Sequence, residues 1–157
     1  MVTTKPEFDF VFRIKKERYL VMSYLNNQLG YRDALLDTRS IIKKGDYIVL
    51  DPDGLVKNVV PGYENCDVTI LGSPAMGATF ADYLVHVHEG GKNTGIGGEG
   101  IESFLYVVDG ELSVKNDDQS AELTKGGYIY SPASNNITFE AKGEATLYVY
   151  RRRYEPV

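Results

Sequence analysis

Ser103-Phe104-Leu105-Tyr106-Val107-Val108 and Glu111-Leu112-Ser113-Val114-Lys115, joined by Asp109-Gly110, decide the fold class. Both runs carry the aliphatic, β-branched and aromatic side chains that suit a pleated, half-buried surface. In the second run Leu112 and Val114 face one way and Glu111, Ser113 and Lys115 the other, which is the period of a strand. An Asp-Gly pair between two such runs predicts a type I′ hairpin, because both turn residues take positive φ there.

The same punctuation recurs along the chain. Residues 47–50 stop at Asp51-Pro52-Asp53-Gly54, residues 56–60 at Pro61-Gly62, and residues 67–71 at Gly72-Ser73-Pro74. Residues 78–88 form the longest β segment, closed by Glu89-Gly90-Gly91. Further strands are expected over 121–123, 127–131, 137–140 and 146–151, with one helix over 27–36. Phe8, Phe10, Phe12 and Ile14 alternate with Asp9, Val11, Arg13 and Lys15, the pattern of an N-terminal edge strand or arm. Many short strands between Gly/Pro turns predict an all-β sandwich or barrel.

Composition narrows the function classes. A chain of 157 residues holds one domain with a sizeable core, and 43% hydrophobic with 25% charged residues is a folded balance. No apolar run approaches the roughly 20 residues of a membrane helix. Residues 8–20 are interrupted by Asp9, Arg13, Lys15, Lys16, Glu17 and Arg18, which is unlike a secretory leader. A single cysteine, Cys66, excludes an internal disulfide and a cysteine-rich metal site, so the expected compartment is the cytoplasm. Residues 1–21 carry five Lys/Arg against three acids, and the rest twelve against nineteen. An acidic body is a poor partner for a phosphate backbone, so no nucleic-acid or membrane partner is expected.

The segment from Gly98 to Gly110 resembles the first cupin motif, and Gly126-Gly127-Tyr128-Ile129-Tyr130-Ser131-Pro132 the start of the second. The resemblance implies a double-stranded β-helix, or jelly-roll barrel, with an N-terminal arm. Tyr24-Leu25-Asn26-Asn27, Pro52-Asp53-Gly54-Leu55-Val56, Pro61-Gly62-Tyr63-Glu64-Asn65-Cys66 and Arg152-Arg153-Tyr154 sharpen it. From about Met22 onward the chain looks like the N-terminal half of the (S)-ureidoglycine aminohydrolases, the bicupin family of allantoin breakdown. The family's reaction is hydrolysis of (S)-ureidoglycine to (S)-ureidoglycolate and ammonia with manganese. The resemblance implies that the manganese ligands lie in a second cupin that this chain lacks. Residues 1–21 are then an extension outside the family, with Met22 as the expected natural start. Residues 22–64 are an arm with short strands, 65–151 the barrel, and 152–157 the start of a linker.

A metal-binding cupin carries His-x-His, then Glu after three or four residues, then Gly after six more. Counting back from Gly110, the Glu position falls on Ser103 and the His positions on Glu99 and Gly97; the late His of the second motif falls on Ile137. One carboxylate cannot fix a divalent ion, so no metal, catalytic or cofactor residue is expected in this chain. Three residues stand as fallback metal ligands: Glu99, Glu102 and His88. Glu102 is one residue from the required place, which puts it on the opposite strand face unless a bulge re-aims it. His86 and His88 share one face of a strand with Leu84, but thirteen residues separate His88 from Glu102. They read as strand histidines unless the loop folds back to join them to Glu99. The glycines of residues 95–100 precede a strand rather than a helix, which argues against a phosphate cradle. Cys66 reads as a small packed apolar group.

The expected role is therefore structural: a cupin half, inactive alone, that packs against a second cupin or against another copy as a homodimer. The alternative is a stand-alone cupin holding a metal or small ligand in its barrel.

Overall fold

The computed structural model describes residues 40–156 except Asp118, and Asp53 by its backbone alone. The expected helix over 27–36, the strand over 8–14 and the boundary at Met22 lie outside the described residues. The described residues divide into two compact units, residues 40–42 with 49–54 and residues 43–48 with 55–156. β1 (Ile41–Lys43) and β2 (Tyr47–Val49) pair as a small sheet of their own.

The larger unit is nine antiparallel strands folded into a barrel: β3 (Lys57–Asn58), β4 (Tyr63–Gly72), β5 (Phe80–Asn93), β6 (Ile101–Asp109), β7 (Glu111–Asn116), β8 (Gln119–Thr124), β9 (Tyr128–Ser131), β10 (Ile137–Glu140) and β11 (Ala145–Arg153). The sheet order is β8-β7-β10-β5-β11-β6-β9, with β4 also on β5 and β3 on β4. Among the described residues no helix is long and apolar enough to cross a membrane.

Alternation places the core. Val85 and Val87 of β5, Leu105 and Val107 of β6, and Leu147 and Val149 of β11 are all fully buried. They meet Leu112, Val114, Ile137 and Phe139 from the other layer in one cluster. Each such aliphatic side chain contributes about 1.5–3 kcal/mol by leaving water.

Two turn expectations are corrected. The Asp109-Gly110 pair does not close a hairpin: β6 pairs with β9 and β11, whereas β7 pairs with β8 and β10. The pair is a corner between layers, and the core requires it. Leu105 and Val107 must face Leu112 and Val114 across the interior, which a two-residue hairpin within one sheet would prevent. Gly110 takes φ +82°, and a Cβ there would lie 2.5 Å from the Glu144 carbonyl oxygen.

Gly90-Gly91, in turn, does not end β5. The strand runs on to Asn93, with Gly90 N–H donating to Ala141 O and Ala141 N–H to Gly91 O, both at 2.9 Å. The glycines bend the strand from one layer into the other. A Cβ on Gly91 would sit 2.6 Å from Asn65 O, so the close approach demands glycine. Beyond the bend, buried Asn93 ties β5 to β10: Phe139 N–H donates to its Oδ1 (2.6 Å) and its Nδ2 donates to Ile137 O (3.3 Å).

Gly110→Ala is expected to cost more than about 1 kcal/mol in denaturant unfolding, since both its φ and its space exclude a Cβ. Gly143, with nothing within 4 Å of an added Cβ, is the control; Gly143→Ala should stay within about 0.5 kcal/mol.

Candidate functional site

The loop between β5 and β6 folds against residues 135–137, so the family's ligand positions do converge. Ile96 N–H donates to Ile137 O at 2.9 Å, and Gly97 N–H to Asn136 Oδ1 at 2.9 Å. A Cβ on Gly97 would sit 2.9 Å from Ser103 Oγ and 2.5 Å from Asn135 O. Three of the four positions therefore meet as Gly97, Ser103 and Ile137, while Glu99 is exposed in a turn. Buried Ser103 lies opposite buried Ser131, and neither hydroxyl has a hydrogen-bond partner. A hydroxyl or two among valine and leucine side chains does not fit a manganese ion, which takes several carboxylate or imidazole ligands. Nor is there room for a histidine at Gly97. The glycine-rich loop is a packing device followed by a strand, with no helix N-terminus to meet a phosphate.

Glu102 lies on the face opposite Ser103. Arg152 donates to its Oε1 from both Nε and Nη2 at 2.7 Å, and the Tyr130 hydroxyl donates to Oε2 at 3.0 Å. These hydrogen bonds hold the Tyr130 phenol and the Arg152 guanidinium above their ordinary pKa values. Arg152 pairs in register with both Glu102 and Phe80, so Glu102 is level with the start of β5. His88 is eight positions further along that strand. The fallback trio Glu99, Glu102 and His88 is not brought together.

On the outer face of the same layer the structure groups a different set. His86, His88 and Glu144 each offer a ligand atom, all within 4.8 Å of one another. His86 Nε2 is 2.9 Å, and His88 Nδ1 3.3 Å, from Glu144 Oε2. Asp67 Oδ2 lies 3.4 Å from His88 Nε2. Lys57, hydrogen-bonded to Asp67, holds that carboxyl below the usual carboxylate range. Asp67 and Thr146 both pair with His86 in register, which delivers Asp67 and the turn carrying Glu144 to the histidines. Nothing local in the sequence marks this, because the partners lie 19 or more residues away and meet only through strand pairing.

Further along that face runs an aromatic band. Tyr106 stands opposite Tyr128, and Phe104 opposite Tyr130, with the Phe104 and Tyr128 rings 5.7 Å apart. Tyr128 and Tyr130 stay 65% and 51% exposed on β9, which ends the sheet. Among the described residues, Tyr47, Tyr106, Tyr128, Tyr130 and Tyr154 are exposed, whereas Tyr63 and Tyr83 pack against the core.

No protein-family model matches the chain. Over 139 residues it is 51% identical to the (S)-ureidoglycine aminohydrolase of Escherichia coli, covering 87% of this chain and 53% of that protein. The chain corresponds to one cupin half of the (S)-ureidoglycine aminohydrolase family. It spans about half the length of that relative. The crystal structure of the E. coli protein Ylba superposes with a TM-score of 0.72 at 49% identity, over 82% of this chain and 54% of that one. The cupin domain of Schizosaccharomyces pombe Cnp3, at TM-score 0.56 and 14% identity over 69% of this chain and 76% of that one, shares the fold.

In this ureidoglycine aminohydrolase-type cupin, Cys66 packs beside the core, its Sγ 3.2 Å from Glu64 O. Burial pushes its thiol up to about 11. At pH 8 its alkylation by iodoacetamide is expected to be at least about tenfold slower than that of a small free thiol, and to accelerate as pH rises towards 11, because the thiolate is the nucleophile. A rate equal to free cysteine at pH 8 would contradict this environment.

Proposed function

We propose that this chain is the N-terminal, non-catalytic cupin of a (S)-ureidoglycine aminohydrolase-like protein, working in the cytoplasm in allantoin breakdown. The observation that carries the reading is the convergence of Gly97, Ser103 and Ile137 where a metal cupin holds its ligands. The parent reaction converts (S)-ureidoglycine and water to (S)-ureidoglycolate and ammonia. Manganese in the second cupin would act there as a Lewis acid. This chain's own residues supply an apolar, filled barrel and a surface for that second cupin.

The aromatic band on β6 and β9 supports the structural role. Exposed large apolar side chains gathered on one sheet face mark association surfaces, and the match to the longer relative covers 53% of that protein's length. We assign the band to a cupin partner, whose place a second copy takes when the chain is alone.

Purified chain supplied with manganese and ureidoglycine is expected to release ammonia no faster than a protein-free control. Manganese-dependent release that a chelator abolishes would overturn the non-catalytic reading. Light scattering at tens of micromolar should report a dimer. Replacing Tyr106 and Tyr128 by serine should shift it towards monomer, and a wild-type monomer would count against the aromatic face.

A further inference from the structure

The outer-face histidines have a geometry that the structural reading leaves unused. Both imidazoles direct one nitrogen at the same carboxylate oxygen: His86 through Nε2 at 2.9 Å and His88 through Nδ1 at 3.3 Å from Glu144 Oε2. In a tetrahedral zinc site with bonds near 2.0–2.1 Å, neighbouring ligand atoms are about 3.3 Å apart. The rings stand at 88° to each other with centroids 5.0 Å apart, so they converge without stacking.

The other nitrogen of each ring is also engaged. His86 Nδ1 faces Thr146 Oγ1 at 3.4 Å, and His88 Nε2 faces Asp67 Oδ2 at 3.4 Å. A metal-binding histidine characteristically donates its second N–H to an oxygen acceptor, which fixes its tautomer and orientation. Here both rings have that acceptor on the side away from Glu144. The side chains of His86, His88 and Glu144 are 45%, 38% and 59% exposed, so an ion can enter from solvent.

We infer that His86, His88 and Glu144 form a divalent-cation site on the outside of the barrel, suited to Zn²⁺, with Asp67 and Thr146 orienting the two imidazoles. The site is separate from the barrel interior. Val85 and Val87, which flank His86 in β5, point inward and are fully buried. Two imidazoles and a carboxylate leave one coordination position for water, and the donor set favours zinc over manganese or calcium. Bound metal would pin the turn between β10 and β11, which carries Glu144, onto the middle of β5.

The experiment is zinc titration by calorimetry of the full chain after chelator treatment and dialysis, with a thermal melt alongside. One zinc per chain and a raised melting midpoint are expected. His86→Ala, His88→Ala and Glu144→Gln should each weaken binding at least about tenfold while keeping the wild-type circular dichroism. Asp67→Asn, which leaves all three proposed ligands in place, should cost less than either histidine substitution, and Glu99→Ala should change nothing. Absence of zinc binding at tens of micromolar protein, or zinc binding undiminished in a His86→Ala/His88→Ala variant, would overturn the site. Neither result depends on ureidoglycine turnover, so the site and the proposed function fail separately.

Discussion

Side chains along β5 alternate between the barrel interior and its outer face, and β5 is the strand that pairs with β4, β10 and β11. That alternation sets what each side of the barrel can do. With Val85 and Val87 committed to the core, His86 and His88 must point outward. No local adjustment returns them to the interior: a one-residue slip would expose the valines and bury two polar rings, and burying an unpaired polar group costs on the order of 1–3 kcal/mol. The Gly90-Gly91 bend then carries β5 into the second layer, where Asn93 replaces missing ladder contacts with side-chain hydrogen bonds to β10.

The interior follows from the same close packing. The loop over residues 95–97 lies so near Asn135 and Asn136 that side chains at Gly95 and Gly97 would collide with them. A histidine could enter at residue 97 only if this loop lifted away and broke the Gly97 to Asn136 hydrogen bond. Isoleucine at 137 is fully buried and extends the apolar lining, which is stabilised by excluding water. Glycine at residues 95 and 97 and the close approach of this loop to Asn135 and Asn136 are thus one feature seen from two sides.

Much of this was legible in sequence because strands announce themselves locally. The runs ended by Asp51-Pro52-Asp53-Gly54, Pro61-Gly62 and Gly72-Ser73-Pro74 are strands or strand borders, and the alternation of Leu112 and Val114 correctly names their buried face. The placement of Glu102 opposite Ser103 also followed from alternation alone. Other features were not legible, for a common reason. A hairpin and a corner between layers share the same Asp-Gly signature, and only the pairing partners of β6 and β7 tell them apart. Glycines that bend a strand look like glycines that end one. Glu144 and Asp67 reach the histidines through register between β4, β5 and β11, which a local pattern does not encode.

The proposed structural role requires a barrel interior with no place for a metal, whatever the outer face binds. Manganese electron paramagnetic resonance on a His86→Ala/His88→Ala/Glu144→Ala variant tests this most directly, because the outer ligands are removed and only free aquated Mn²⁺ gives the strong signal. A signal undiminished by stoichiometric protein is expected. Loss of one equivalent of free manganese per chain would contradict it.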